Sequence, residues 1–367
     1  QLQLKLWTDH SGHTVAVCWW RMRLLVAWDG SELSTLALRC TIRVLSRPGD
    51  QLLVYHVRNP GRYGASEEFE LEKLQSQLAE ELRDAGELHI LSQPSSSGEM
   101  DEVDSHSQML MTVHQKEKEE EVKISRMILN FAAASNADVL VMGSFGRKEE
   151  RSNCFQQTTL GSSAHLAALE APCSVVLIRP GCRVDPKLAT VFMVAVDGSL
   201  HSQHALQMCS EWARPDKDEI VCRVFGPSDF TEPVEKMCTD QLQGVMRTKK
   251  VEYAVIPTEL DESADVHGDD LSDAAKQCRF RQQAFLVFGA RGRHYESAGA
   301  IPTSPSLSPM ASETGSPTVA QPDEPATRLG HVARWCIKEA QCSLIIARPK
   351  MYQSPAGLVL LRAASLP

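Results

Sequence analysis

The stretch VMGSFGRKEERSNCFQQTTLGSS (141–163) holds the residue types that bind an anion through the backbone. Gly143 and Gly146 follow an apolar run, and Gly161-Ser162-Ser163 stands where a helical pattern begins. A glycine lets backbone approach a phosphate closely, or takes positive φ, where a side chain would hinder it. Ser162 at a helix start would cap it, and the free N–H groups of the first turn attract an anion. Asp29 ends another apolar run, RLLVAW, and a carboxylate there can hydrogen-bond a ribose hydroxyl. Each residue also has a plainer reading. A glycine after a strand makes a tight turn, Ser162 is an N-cap and nothing more, and Asp29-Gly30-Ser31 caps the helix that follows it. Only an architecture that brings the three places together makes them a site.

That architecture is written twice. VAWDGSELSTLAL (26–38) matches VAVDGSLHSQHAL (194–206), with Asp29 standing against Asp197 at an offset of 168. APCSVVLIRP (171–180) matches AQCSLIIARP (340–349) at an offset of 169. Each copy alternates near-continuous Val/Leu/Ile runs with amphipathic segments, which predicts parallel strands buried on both faces and crossed over by helices, an α/β doubly wound sheet. In the first copy the strands are RLLVAW, QLLVYHV, ELHIL (with MLMTVH competing for the third place), DVLVMG and SVVLIRP. In the second they are TVFMVAV, EIVCRVF, VEYAVIP, AFLVFG and SLIIAR. Polar or Pro/Ser-rich insertions are expected at about 93–118 and 294–327, both mobile. The expected layout is an extension at 1–21 outside the fold, a first domain at 22–181, a linker at 182–189, a second domain at 190–349 and a tail at 350–367.

The totals narrow the function. Of 367 residues, 43% are hydrophobic and 23% charged, as in globular domains, and the net charge of −9 argues against a general nucleic-acid or anionic-membrane binder. No apolar run is long enough to cross a bilayer. The 11 cysteines show no CxxC and several sit in apolar runs, which reads as buried free thiols in a reducing compartment and a cytoplasmic protein.

On these residues the chain resembles a universal stress protein in tandem two-domain form, over 23–180 and 190–349. The resemblance implies two Rossmann-like, adenine nucleotide alpha hydrolase-like five-strand parallel sheets of strand order 3-2-1-4-5. It also implies the family's G-x2-G-x9-G-(S/T) pattern after the fourth strand. Carried onto this sequence, adenine and ribose would meet Asp29 and the backbone around Val57, with phosphates over Gly143, Gly146, Gly161 and Ser162, and with Met142 and Ser163 also among the nucleotide-binding residues. In the second copy the corresponding positions are Asp197, Val224, Gly289, Arg291, Gly292 and Gly330. The pattern is altered in both. Fourteen residues separate Gly146 from Gly161 where the family has nine, and Phe145 stands where an arginine is usual. The second copy keeps Arg291 but has His331 in place of the hydroxyl. The ligand implied is ATP, AMP or another adenine nucleotide, with Mg alongside a triphosphate. The family's last strands pair across a dimer, so the two copies are expected to form an intrachain pseudo-dimer, or a homodimer through those strands.

Other chemistries leave no trace: there is no GxGxxG, no GxxxxGK(S/T) and no GxSxG. His201 and His204 lie three apart on a helix, which suits zinc, but no further ligand accompanies them and a solvated face is expected. No general base is identifiable, so the expected activity is non-catalytic nucleotide sensing in a stress response, slow hydrolysis aside. The alternative is a degenerate module that works by protein interaction without nucleotide.

Overall fold

The computed structural model describes residues 2–8, 14–20, 22–47, 49–58, 76, 110–117, 123–146, 160–214, 216–226, 228–243, 252–257, 274–278, 283–291 and 329–349. Strands β1 (Leu2–Thr8) and β2 (Thr14–Trp20) form an antiparallel hairpin that is a sheet of its own. The first half of the main fold follows as β3 (Arg23–Ala27), α1 (Glu32–Cys40), β4 (Gln51–Arg58), β5 (Leu110–Glu117), α2 (Ile124–Ala134), β6 (Val139–Gly143), α3 (Ser162–Glu170) and β7 (Ser174–Ile178). The second half comprises β8 (Val191–Val196), α4 (Leu200–Trp212), β9 (Glu219–Gly226), α5 (Ser228–Gln243), β10 (Glu252–Pro257), β11 (Ala284–Gly289), α6 (His331–Glu339) and β12 (Ser343–Ala347).

Two separate five-strand sheets are expected; the structure has one ten-stranded sheet, ordered β10-β9-β8-β11-β12-β7-β6-β3-β4-β5. All its neighbours run parallel except β12 and β7, which pair antiparallel. Within each half the order reads third, second, first, fourth, fifth. The halves fuse because β7 and β12 would otherwise each end a sheet in a row of unpaired amides and carbonyls. Val176 pairs with its repeat equivalent Ile345, flanked by Leu177 with Leu344 and Val175 with Ile346, so the junction has the self-complementary form of a two-fold dimer contact. Both edges of both strands are thereby occupied, and a homodimer through these strands has no edge to use.

The third strand of the first half is β5, inside the stretch expected to be inserted; MLMTVH holds that place, paired residue for residue with β4 from Gln51–Leu110 to Arg58–Glu117. The competing ELHIL, the helical pattern before it apart from Ser76, residues 93–109 of the first insertion, the second insertion and residues 147–159 lie outside the described residues.

Strand alternation sends successive side chains to opposite faces. Leu24, Val26, Val141, Val176, Phe192, Val194, Phe285, Val287 and Ile345 face α1, α4 and α5. Leu25, Leu140, Val175, Leu177, Met193, Leu286, Leu344 and Ile346 face α2, α3 and α6. Each apolar layer runs unbroken through both halves, so burial as well as strand pairing holds them together. All nine described cysteines are free, and all but the half-buried Cys182 are buried.

Candidate functional site

The two copies of Asp-Gly-Ser fold into the same turn. Asp29 Oδ1 accepts the Ser31 N–H at 3.0 Å while Gly30 takes φ of 76°, and Asp197 Oδ1 accepts the Ser199 N–H at 3.0 Å with Gly198 at 77°. These positive φ values are what glycine supplies at no steric cost. Ser31 and Ser199 then cap α1 and α4, each accepting an N–H three residues on, from Ser34 and Ser202, at 3.1 Å. The plainer reading of Asp29, as part of a helix-capping turn, therefore describes one of its carboxylate oxygens. Both turns open at the carboxyl ends of the central strands, the edge where ligands bind in open α/β sheets.

The glycines ending β6 and β11 are required, but not by a phosphate. A Cβ on Gly143 would sit 2.8 Å from Leu33 Cβ and 3.1 Å from the Leu33 carbonyl carbon. On Gly289 it would sit 2.7 Å from His201 Cβ and 2.9 Å from both the His201 carbonyl carbon and the Ser202 nitrogen. The close approach that glycine permits is thus made by the first turn of α1 or α4. Neither glycine has positive φ.

Past Gly143 the chain turns toward α3. Ser144 N–H donates to the Ile178 carbonyl at 2.8 Å, and the Ser144 carbonyl accepts the Gly161 N–H at 2.8 Å. The second half repeats this: Ala290 N–H donates to Ala347 at 2.9 Å, and the Ala290 carbonyl accepts the Gly330 N–H at 2.8 Å. Gly143, Ser144, Gly161 and Ser162 are therefore gathered at one edge although residues 145–160 separate them in sequence. Asp29 lies on the neighbouring strand, two residues past Ala27, which pairs with Met142.

Ser162 is not the N-cap. Gly161 holds that position, extended at φ −60° and ψ 155°, because its N–H and its carbonyl are taken by Ser144 and His165. Ser162 is the exposed first residue of α3, and no side chain caps the helix. The orphan N–H groups of this first turn are the anion-attracting feature. Ser144, which the spacing pattern passes over, adds a hydroxyl that is fully buried and bonds to nothing among the described residues.

The remaining expected residues fall at the same edge with different exposure. Met142 and Val224 are buried in the layers, and Val57 is half-buried against the α3 layer. Gly146 lies in the turn, and Gly292 lies outside the described residues. In the second half Gly330 N-caps α6 with no side-chain bond, and His331 is its first residue. The Ser199 hydroxyl donates to the Arg291 carbonyl at 3.3 Å, tying the Asp197 turn to the fourth-strand turn.

The histidine pair is not a solvated face. His201 is 9% exposed, stands where the first half has Leu33, and places Nδ1 3.3 Å from the Ala347 carbonyl. Burial, aided by Arg291 and Arg348, holds its pKa below the usual range, and burial with His201 nearby takes His204 down to about 4. Both are neutral at pH 7. No group of three His, Cys, Asp or Glu side chains among the described residues is arranged to hold a metal. No described helix is long and apolar enough to cross a membrane. The two edges thus differ in chemistry: hydroxyl and apolar in the first half, with Ser144, Ser162, Leu33 and Phe145; imidazole and guanidinium in the second, with His201 and Arg291.

Residues 21–179 match the universal stress protein family. Among solved structures, the chain is similar to a functionally unknown protein from Pseudomonas aeruginosa (14% identity, 94% of this chain and 98% of that one, TM-score 0.49). It is also similar to a universal stress protein from Archaeoglobus fulgidus (12% identity, 89% and 98%, TM-score 0.46). A universal stress protein in complex with cAMP covers less of it (13% identity, 43% of this chain and 96% of that one, TM-score 0.27). No curated protein matches the chain. The family match thus covers the first half of the main fold, residues 21–179.

Proposed function

We propose that the first half binds an adenine nucleotide, ATP or a relative such as AMP or cyclic AMP, and acts as a non-catalytic sensor in a stress response. The phosphates lie over the start of α3. The observation that carries this reading is the uncapped N-terminus at Gly161–Ser162 beside the buried, unpartnered Ser144 hydroxyl, at the carboxyl end of the fourth strand. An anion there gains the helix-start amides and the positive end of the helix dipole. The nucleotide class itself comes from the family resemblance, with Mg bound to the triphosphate rather than to a preformed protein cage. In this reading residues 22–181 and 190–349 are two domains of one type joined by 182–189, and nucleotide shifts a conformational equilibrium by its differential affinity for two states.

Calorimetry with ATP, AMP and cyclic AMP tests it on wild type and on Ser162→Asp. A carboxylate at the first helical position favours the helix but repels a phosphate. The expected outcome is a nucleotide affinity at least about tenfold weaker in Ser162→Asp, roughly 1.4 kcal/mol, with a melting temperature equal to or above wild type. No heat from wild type with any of the three nucleotides overturns the reading. The second reading, an interaction module without nucleotide, is favoured by one observation: the space at Gly143 is filled by Leu33 of α1.

A further inference from the structure

The last strand of each half ends in Arg-Pro, at 179–180 and 348–349, and the two arginines make the same contact in opposite directions. Arg179 follows Ile178, whose carbonyl anchors the Ser144 turn of the first half, yet its guanidinium donates to the Ile337 carbonyl at 2.9 Å, in the last turn of α6 in the second half. Its backbone N–H donates to Ser343 Oγ at 3.1 Å. Arg348 follows Ala347, whose carbonyl anchors the Ala290 turn of the second half. Its guanidinium donates to the carbonyls of Ala168 and Leu169, in the last turn of α3 in the first half, and its N–H donates to Ser174 Oγ at 3.0 Å. Each helix therefore begins at the ligand edge of its own half and ends on an arginine rooted at the ligand edge of the other.

We propose that Arg179 and Arg348 are crossed positioning residues that couple the two edges, so that an anion seated at the start of α3 changes the anchoring of α6, and the reverse. This rests on the proposed site in the first half and adds its regulation.

Three features support transmission over mere stabilisation. The helices are nine residues each, about 13 Å of rigid rod by helical rise. A force on the N-terminus therefore reaches the C-terminal carbonyls. The contacts are charge-assisted bonds to the negative ends of the helix dipoles, whose positive ends are where the anion sits. Arg179 is 2% exposed; Arg348 is half-buried, no carboxylate pairs with it among the described residues, and its Nη1 is buried without a partner among them. Burial pulls both below the usual arginine pKa, Arg348 to about 10, and both remain charged at pH 7. A buried charge bonded to helix-end carbonyls is sensitive to small shifts of that helix, because those bonds help offset its desolvation.

Hydrogen–deuterium exchange of the full chain, with and without ATP, tests this in wild type, Ser162→Asp and Arg179→Met. In wild type ATP is expected to slow exchange at the start of α3 and, by a factor of about 5 or more, in the last turn of α6 and at Ala340. With ATP near the wild-type dissociation constant, Ser162→Asp should lose most of both effects. Arg179→Met should keep the first and lose the second, and Arg179→Lys, which keeps the charge on a shorter side chain with a single nitrogen, should retain part of it. Protection of α3 with no change in α6 of wild type overturns the coupling while leaving the nucleotide site intact. Protection of α6 that persists in Ser162→Asp while that of α3 is lost overturns it too, since ATP then acts on the second half directly. Absence of any effect at α3 removes the site reading and the coupling together.

Discussion

Gly289→Ala is expected to lower the unfolding free energy by roughly 1–3 kcal/mol, the usual cost of forcing extra methyl volume into a filled site, and Gly143→Ala by a similar or somewhat smaller amount. The added methyl on Gly289 meets His201 Cβ, the His201 carbonyl carbon and the Ser202 nitrogen, all at 2.9 Å or less. Two of these three are backbone atoms of the first turn of α4, so no side-chain rotation relieves the clash. The helix itself would have to move, while Ser199, its cap, is bonded to Arg291 and Ser202. At Gly143 only Leu33 Cβ falls inside 3.0 Å, and the backbone contacts at 3.1 and 3.2 Å allow a small adjustment. Chemical denaturation at pH 7 measures both. The ordering, Gly289 above Gly143, is the specific expectation; two unchanged midpoints would show that the first turns of α1 and α4 are not seated on these strands. The same geometry makes Gly143→Val a poor probe of ligand binding, since it removes packing before it removes a phosphate contact.

Why the sequence revealed some of this and not the rest can be traced residue by residue. The parallel strands were legible because Leu24–Ala27, Val139–Met142 and Val191–Val196 are apolar at every position, as a sheet covered on both faces requires, while their order came from the family resemblance alone. The capping turns were legible because Asp-Gly-Ser encodes its own local bonds. The role of Gly143 was not, since close approach to a helix and close approach to a phosphate make the same demand on a residue. Ser144 was passed over because an unpartnered buried hydroxyl is a property of the folded neighbourhood and not of spacing. The place of Ser162 went wrong by one residue, because Gly161 is held by the Ser144 carbonyl, a contact across an intervening loop. The crossing arginines did leave a signal: Arg-Pro closes both copies of the last strand. Its meaning depended on β7 pairing with β12, a tertiary event that periodicity within one copy does not contain. The third strand was misplaced toward ELHIL because short apolar runs near polar tracts compete on nearly equal terms.

Arg214→Met is expected to cost about 3 kcal/mol, the low end of the range for removing one partner of a buried ion pair, because Asp218 is buried while Arg214 is half-buried. Asp218 is 1% exposed and accepts the N–H groups of Thr190 and Arg214 at 2.8 Å, with the Arg214 guanidinium adding Nε at 2.9 Å and Nη2 at 2.7 Å. Burial alone would raise its pKa; the bonds from Arg214 and Thr190 outweigh burial and hold it below the usual carboxylate value. The repeat supplies a control for this device. Asp50 occupies the same corner of the first half, 4% exposed, accepting the N–H groups of Met22 at 2.9 Å and Arg47 at 2.8 Å. There, however, the Arg47 guanidinium turns away to the carbonyls of Val44 and Ser46. Without that partner burial dominates, and the Asp50 pKa rises from 3.8 to about 6. The two carboxylates therefore pull stability in opposite directions with pH. Asp218, depressed in the folded state, contributes stability that is present above its unfolded pKa and lost as pH falls through the folded one. Asp50, raised in the folded state, favours folding below pH 3.8 and loses that contribution as pH climbs to about 6. The stability gap between wild type and Asp50→Asn should consequently shrink between pH 4 and pH 7, by about 2 kcal/mol from the linkage of 1.36 kcal/mol per pKa unit. The gap between wild type and Arg214→Met should hold or widen over the same interval. Urea midpoints for the three proteins at the two pH values decide it: parallel behaviour of the two gaps would mean that the corners are not electrostatically distinct, and that the ion pair in the second half is not what sets the pKa of Asp218.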